Sequence, residues 1–148
     1  MVDMATEWTL TIDCADPARL AAFWKQALGY RDRQAPPGFG SWDDWFTQYG
    51  VPVDERNDGA YIEDPDGKRP RISFLKVPEG KVVKNRMHID IQAGGGRSEL
   101  LEKRWPRVLS AVEELVAGGA WVIAQYDADG RPDHVVMADP EGNEFCVL

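Results

Sequence analysis

The sequence predicts an α+β fold made of two similar halves, and three observations predict it. The turn Asp64-Pro65-Asp66-Gly67 returns as Asp139-Pro140-Glu141-Gly142 about half a chain later. Each turn leads into a strand-like stretch. Each half also opens with an alternating segment followed by an apolar stripe at helical spacing, so both halves read strand, helix, strand, strand, strand.

The first half starts with Glu7 to Asp13, where Trp8, Leu10 and Ile12 alternate with Thr9, Thr11 and Asp13. Asp16-Pro17 then predicts a helix start, with aspartate as N-cap and proline in the first turn. Leu20, Phe23, Trp24, Ala27 and Leu28 form its apolar stripe, and Gly29 stops it. Tyr30 to Gln34 is a short polar strand. An insertion, residues 35–58, interrupts the pattern. Within it Ser41 caps a helix of Trp42 to Tyr49, with Asp43 and Asp44 in its first turn. Phe39, Trp42, Trp45, Phe46 and Tyr49 crowd this stretch, either packing the insertion onto the body or forming a lid over a ligand. Gly59 to Glu63 and Arg71 to Val77 are the remaining strands of this half, and residues 78–84 are a polar linker.

In the second half, Asn85 to Gln92 alternates, with Met87, Ile89 and Ile91 opposite His88, Asp90 and Gln92. Gly94-Gly95-Gly96 is a flexible link, because no phosphate-loop pattern surrounds it. A helix over roughly Glu99 to Ala117 turns Leu101, Val108, Leu109, Val112, Leu115 and Val116 to one side; Pro106 should kink it or start its main segment. Trp121 to Tyr126, a turn over Asp127 to Pro132, His134 to Ala138 and the final strand complete the half. On that final strand Glu144 and Cys146 share one face. A carboxylate on an otherwise apolar strand needs a cation, a proton or a metal.

The formal net charge of −8 argues against nucleic-acid backbones and anionic membranes as partners. It suits solubility or a cationic ligand. Cys14 and Cys146 lack metal or redox spacing, and there is no long apolar run; a reducing cytoplasm is expected.

Three stretches carry a resemblance to a known family: Asp16-Pro17 with Phe23-Trp24 and Ala27-Leu28-Gly29-Tyr30; Lys84-Asn85-Arg86-Met87-His88-Ile89-Asp90-Ile91; and Asp139-Pro140-Glu141-Gly142-Asn143-Glu144-Phe145-Cys146. In these the chain resembles the vicinal oxygen chelate superfamily of glyoxalase I, bleomycin and fosfomycin resistance proteins and extradiol dioxygenases. More narrowly it is similar to actinobacterial glyoxalase-like proteins. The resemblance implies one glyoxalase-like domain over residues 1–148, made of two βαβββ modules whose curved mixed sheets line a cleft. Module one would be residues 1–80, with the insertion 35–58, and module two residues 81–148.

Metal-dependent members hold a divalent ion with one side chain from the first and last strands of each module. Carried over, these positions fall on His88 and Glu144 in module two. In module one they fall on Thr9 and the Ser73 or Phe74 region. His88 and Glu144 suit Zn, Ni, Mn or Fe, and they are also the candidate catalytic residues. Asp13, Asp90 and His134 are spare donors off the family positions. Candidate ligand-binding residues are Thr9, Thr11, Trp42, Trp45, Asp90 and Cys146. Two functions follow. One is a small-molecule-binding protein of the drug-sequestering type, without a complete metal site. The other is a metal-dependent lyase, isomerase or dioxygenase using His88 and Glu144. Relatives often pair, which implies a homodimer.

Overall fold

A computed structural model describes residues 5–148. They form two compact units that divide after Gly80, each with a four-stranded mixed sheet.

Unit one runs β1 (Leu10–Cys14), α1 (Pro17–Leu28), β2 (Arg31–Asp32), α2 (Trp42–Gln48), β3 (Gly59–Glu63) and β4 (Ile72–Lys76). A short 3₁₀ turn, Val53–Glu55, lies between α2 and β3. The strand order is β1-β4-β3-β2, with β1 and β4 parallel and the other pairs antiparallel. Asp16 caps α1 by accepting the Arg19 N–H, and Gly29 ends the helix in the left-handed region at φ 69°. Leu20, Phe23, Trp24, Ile62, Ile72 and Phe74 make the core of this unit.

Unit two runs β5 (Asp90–Ile91), α3 (Leu101–Ala117), β6 (Trp121–Ala128), β7 (Arg131–Ala138) and β8 (Glu144–Val147). Its strand order, β5-β8-β7-β6, repeats that of unit one, again with the first and last strands parallel. Val108, Val135, Met137, Phe145 and Val147 are its buried centre.

Several boundaries differ from the sequence expectation. The first strand begins at Leu10 rather than Glu7, because its partner begins at Ile72 and the two pair there. Trp8, expected on its apolar face, is 63% exposed. The strand expected over Asn85 to Gln92 contracts to Asp90–Ile91, leaving His88 in irregular backbone just before it. The turn expected over Asp127 to Pro132 tightens to Asp129-Gly130, both at positive φ, and the two flanking strands lengthen accordingly. In α3, Val108 and Leu115 are buried as expected, but Leu109 and Val116 are largely exposed and Arg104 is buried instead. The buried stripe is Arg104, Val108 and Leu115, which keeps two of the expected positions and adds a charged one. Pro106 lies inside α3, which continues through it.

Candidate functional site

The closing strand shows how its carboxylate is satisfied. On β8, Phe145 and Val147 are buried while Glu144 and Cys146 face the other way, half-buried. Glu144 has found a cation: the Lys81 ammonium lies 3.1 Å from its Oε2. Lys81 also donates to the Val83 carbonyl. The Asn85 N–H donates to the same carboxylate at 2.9 Å, and the Asn85 side-chain amide to the Glu144 carbonyl. Burial pushes the Glu144 carboxyl up, but these hydrogen bonds and the Lys81 charge outweigh it and hold the group below the ordinary carboxylate range.

These contacts also explain why β5 is short. The chain at Asn85 turns to the Glu144 side chain, and pairing with β8 resumes only where the Cys146 N–H donates to the Ile89 carbonyl. His88 therefore meets the next outward residue along. Its Nδ1 lies 3.2 Å from Asp90 Oδ1 and 4.0 Å from Cys146 Sγ. Asp90 and Cys146 are direct neighbours in the β5–β8 register. One ligand atom from each of His88, Asp90 and Cys146 lies within 4.8 Å of the others. Burial, followed by the negative charge of Asp90 and a hydrogen bond to it, pushes the Cys146 thiol up and keeps it protonated.

The matching register in unit one is β1 on β4, with Thr11 opposite Ser73. The alignment that sets Thr9 over His88 sets Thr11 over Asp90 and Ser73 over Cys146. It also sets Arg71, not Ser73 or Phe74, over Glu144; Phe74 is fully buried. Thr9 and Thr11 are exposed. In unit one the positions that hold the ion in metal-dependent members are thus Thr9 and Arg71, and an arginine is not a metal ligand. In unit two they are His88 and Glu144, and Glu144 is already engaged by Lys81 and Asn85.

The aromatic stretch forms a face of its own in unit one. Trp42 stacks on Tyr61 of β3, with centroids 5.9 Å apart and planes at 28°, and its indole N–H donates to the Arg33 carbonyl at 2.8 Å. Trp45 meets Trp42 edge-on at 5.7 Å and Tyr49 at 4.9 Å. Phe46 carries the Arg56 guanidinium at 5.6 Å from its ring centre, and Arg56 pairs with Asp43. No residue of α2 is buried, and Tyr49 is 63% exposed.

His134 is not one of the donors grouped with His88, Asp90 and Cys146, and Asp13 belongs to unit one. His134 stacks on Tyr126 and its Nδ1 lies 2.8 Å from Asp133. The sequence reading missed Lys81, Asn85, Tyr61 and Arg56. Only Tyr61 carried a signal, as an aromatic on a strand facing the insertion. No helix among the described residues is long and apolar enough to cross a membrane.

Two sheets of one strand order, each with a parallel outer pair and a helix in its first crossover, define the fold class of the vicinal oxygen chelate proteins. A model of the glyoxalase-like domain matches residues 9–148, and the chain belongs to that family. Among solved structures, the chain is similar to a glyoxalase/bleomycin resistance protein/dioxygenase family enzyme from Burkholderia phytofirmans, at 16% identity over 94% of each chain with a TM-score of 0.57. It is also similar to the fosfomycin resistance protein FosX from Listeria monocytogenes, solved as a mutant complexed with Mn(II) and 1S,2S-dihydroxypropylphosphonic acid. That match has 12% identity and a TM-score of 0.62, covering 98% of this chain and 92% of FosX. TioX from Micromonospora sp. matches at 12% identity over 97% of each chain, with a TM-score of 0.52. No curated protein matches the sequence.

Proposed function

We propose that this glyoxalase-like protein binds a flat, cationic small molecule, and that the aromatic face of unit one takes part. The stack of Trp42 on Tyr61, extended by Trp45 and Tyr49 and left unburied along α2, carries this reading. Indole and phenol rings offer large, rigid surfaces that bind planar cations at small entropic cost. The protein's own Arg56, held over Phe46 with Asp43 beside it, is an internal example of the cation such a face accepts. The net charge of −8 draws cations toward it. The two cysteines of the sequence, Cys14 and Cys146, lack redox spacing, which accords with a reducing cytoplasmic setting.

The test is a thermal-shift screen of bleomycin-like and other cationic aromatic compounds against the protein and its Trp45→Ala variant. A hit should raise the melting temperature of the parent and do so much less in the variant. A broad library without any shift, or hits that Trp45→Ala leaves intact, would remove the basis for this reading.

The second reading is a metal-dependent lyase, isomerase or dioxygenase using His88 and Glu144. The Mn(II) complex of FosX favours it. Here Glu144 would first have to give up Lys81, so Lys81→Met should strengthen Mn(II) binding measured by calorimetry; no change would count against this reading. We also take the protein to be a homodimer. The edge strand β6 supports this, because Trp121, Val122 and Ile123 are each about half exposed on it. Light scattering at the monomer mass would exclude it.

A further inference from the structure

We propose that His88, Asp90 and Cys146 form a binding site for a thiophilic divalent cation of the zinc class, one outward position along β8 from Glu144. This site does not depend on the small-molecule reading above.

The backbone itself brings the three groups together. Asp90 and Cys146 are paired in the parallel β5–β8 ladder, and the Cys146 N–H bonds the Ile89 carbonyl between the other two donors. His88, in the irregular backbone just ahead of β5, reaches both with its Nδ1.

The spacing suits a tetrahedral ion. Zinc–nitrogen and zinc–oxygen bonds of about 2.0–2.1 Å and a zinc–sulfur bond of about 2.3 Å place tetrahedral ligands about 3.4 Å apart for N and O, and about 3.6 Å apart for N and S. The observed separations are 3.2 Å from His88 to Asp90 and 4.0 Å from His88 to Cys146. The Asp90 and Cys146 ligand atoms lie within 4.8 Å of each other, and side-chain rotation would draw the three donors around the ion. Imidazole, carboxylate and thiolate together suit zinc better than a hard ion such as Mn(II). His88 and Asp90 are more than a third exposed, which leaves a fourth position for water.

Unit one supplies an internal control. At the matching positions it carries Thr9, Thr11 and Ser73, three hydroxyls that do not hold zinc. The same sheet forms there, so neither the strand pairing nor the fold requires a His, Asp and Cys at these places. Binding would be a ligand exchange without redox change. The hydrated ion sheds five of its six waters and keeps one, the thiol sulfur becomes a bound thiolate, and its proton leaves to buffer.

The test uses the full chain, reduced, stripped with chelator and dialysed, with Co(II) as a spectroscopic stand-in for zinc. One cobalt per chain should produce a thiolate-to-cobalt charge-transfer band in the near ultraviolet, and added Zn(II) should bleach it. Cys146→Ser should abolish the band, and Asp90→Asn should weaken cobalt binding by about tenfold or more. Cys14→Ser should leave the band in place. Circular dichroism shows that each variant is folded, and exposed Asp90 provides a readout should the Cys146 change disturb the sheet. The proposal is overturned if the parent shows no charge-transfer band, if the band survives Cys146→Ser, or if Cys14→Ser removes it.

Discussion

Asp64 and Asp139 hold the same post in the two units: each buried carboxylate gathers the N–H groups of residues two and four places ahead. Asp64 accepts from Asp66 at 3.0 Å and Lys68 at 3.2 Å, and Asp139 from Glu141 at 2.9 Å and Asn143 at 3.0 Å. In both turns the glycine three places on donates to the aspartate carbonyl at 2.9 Å, with positive φ at Gly67 and Gly142. Asp139 also takes the Asn143 side-chain amide and is fully buried. Asp139→Ala would strand these donors away from water. A loss of about 2–4 kcal/mol in chemical denaturation is expected. Asp139→Asn, which keeps one acceptor oxygen, should lose clearly less. Equal losses would mean that the turn does not depend on this carbonyl-type acceptor.

Gly94 is small for a different reason. It is buried, and a Cβ there would stand 2.2 Å from Arg104 Cγ and 3.3 Å from the Arg104 carbonyl. Arg104 is itself buried and donates to the Pro132 and Asp133 carbonyls, tying α3 to β7. Gly94→Ala should therefore cost about 2–3 kcal/mol by overpacking. Adding Arg104→Ala should cost less in the Gly94→Ala background than in the parent, because the clash has then gone. Strict additivity of the two changes in a double-mutant cycle would contradict this coupling.

Acid should weaken the protein at Asp133. Arg97 donates two hydrogen bonds to this carboxylate, at 3.0 and 2.8 Å, and together with His134 pulls its pKa down to about 2. A depressed carboxylate stabilises the fold above its unfolded pKa, and that contribution fades as pH falls through the folded value. The window is therefore about pH 4 down to about pH 2, and with Arg97 open to solvent the contribution is about 1–2 kcal/mol. Asp133→Asn should be less stable than the parent at pH 7, with the gap narrowing toward pH 2 in urea titrations. A gap that stays constant across that window would exclude the carboxylate charge as its source.

Much of this architecture could be read before any coordinates, because it rests on local rules. Asp16 with Pro17 and Gly29 bracket α1 by capping chemistry alone, and Ser41 does the same for the start of α2. The repeated aspartate turns announced two similar halves. What escaped was set at long range. That Glu144 needs a counter-charge is legible in its strand, yet no pattern names Lys81, which lies 63 residues away. The same contact network cuts β5 short and moves His88 from the reach of an ideal ladder toward Asp90 and Cys146. Arg104 shows the converse: on a helical wheel it belongs to the inner stripe, but its charge hides this until the β7 carbonyls that receive it are known.

Every strand pairing lies within residues 10–76 or within residues 90–147. The connecting stretch Pro78 to Gly80 contributes no rung to either ladder. A backbone nick there would sever no sheet hydrogen bond, which makes this stretch the natural place to split the chain into complementing fragments or to open it for new termini.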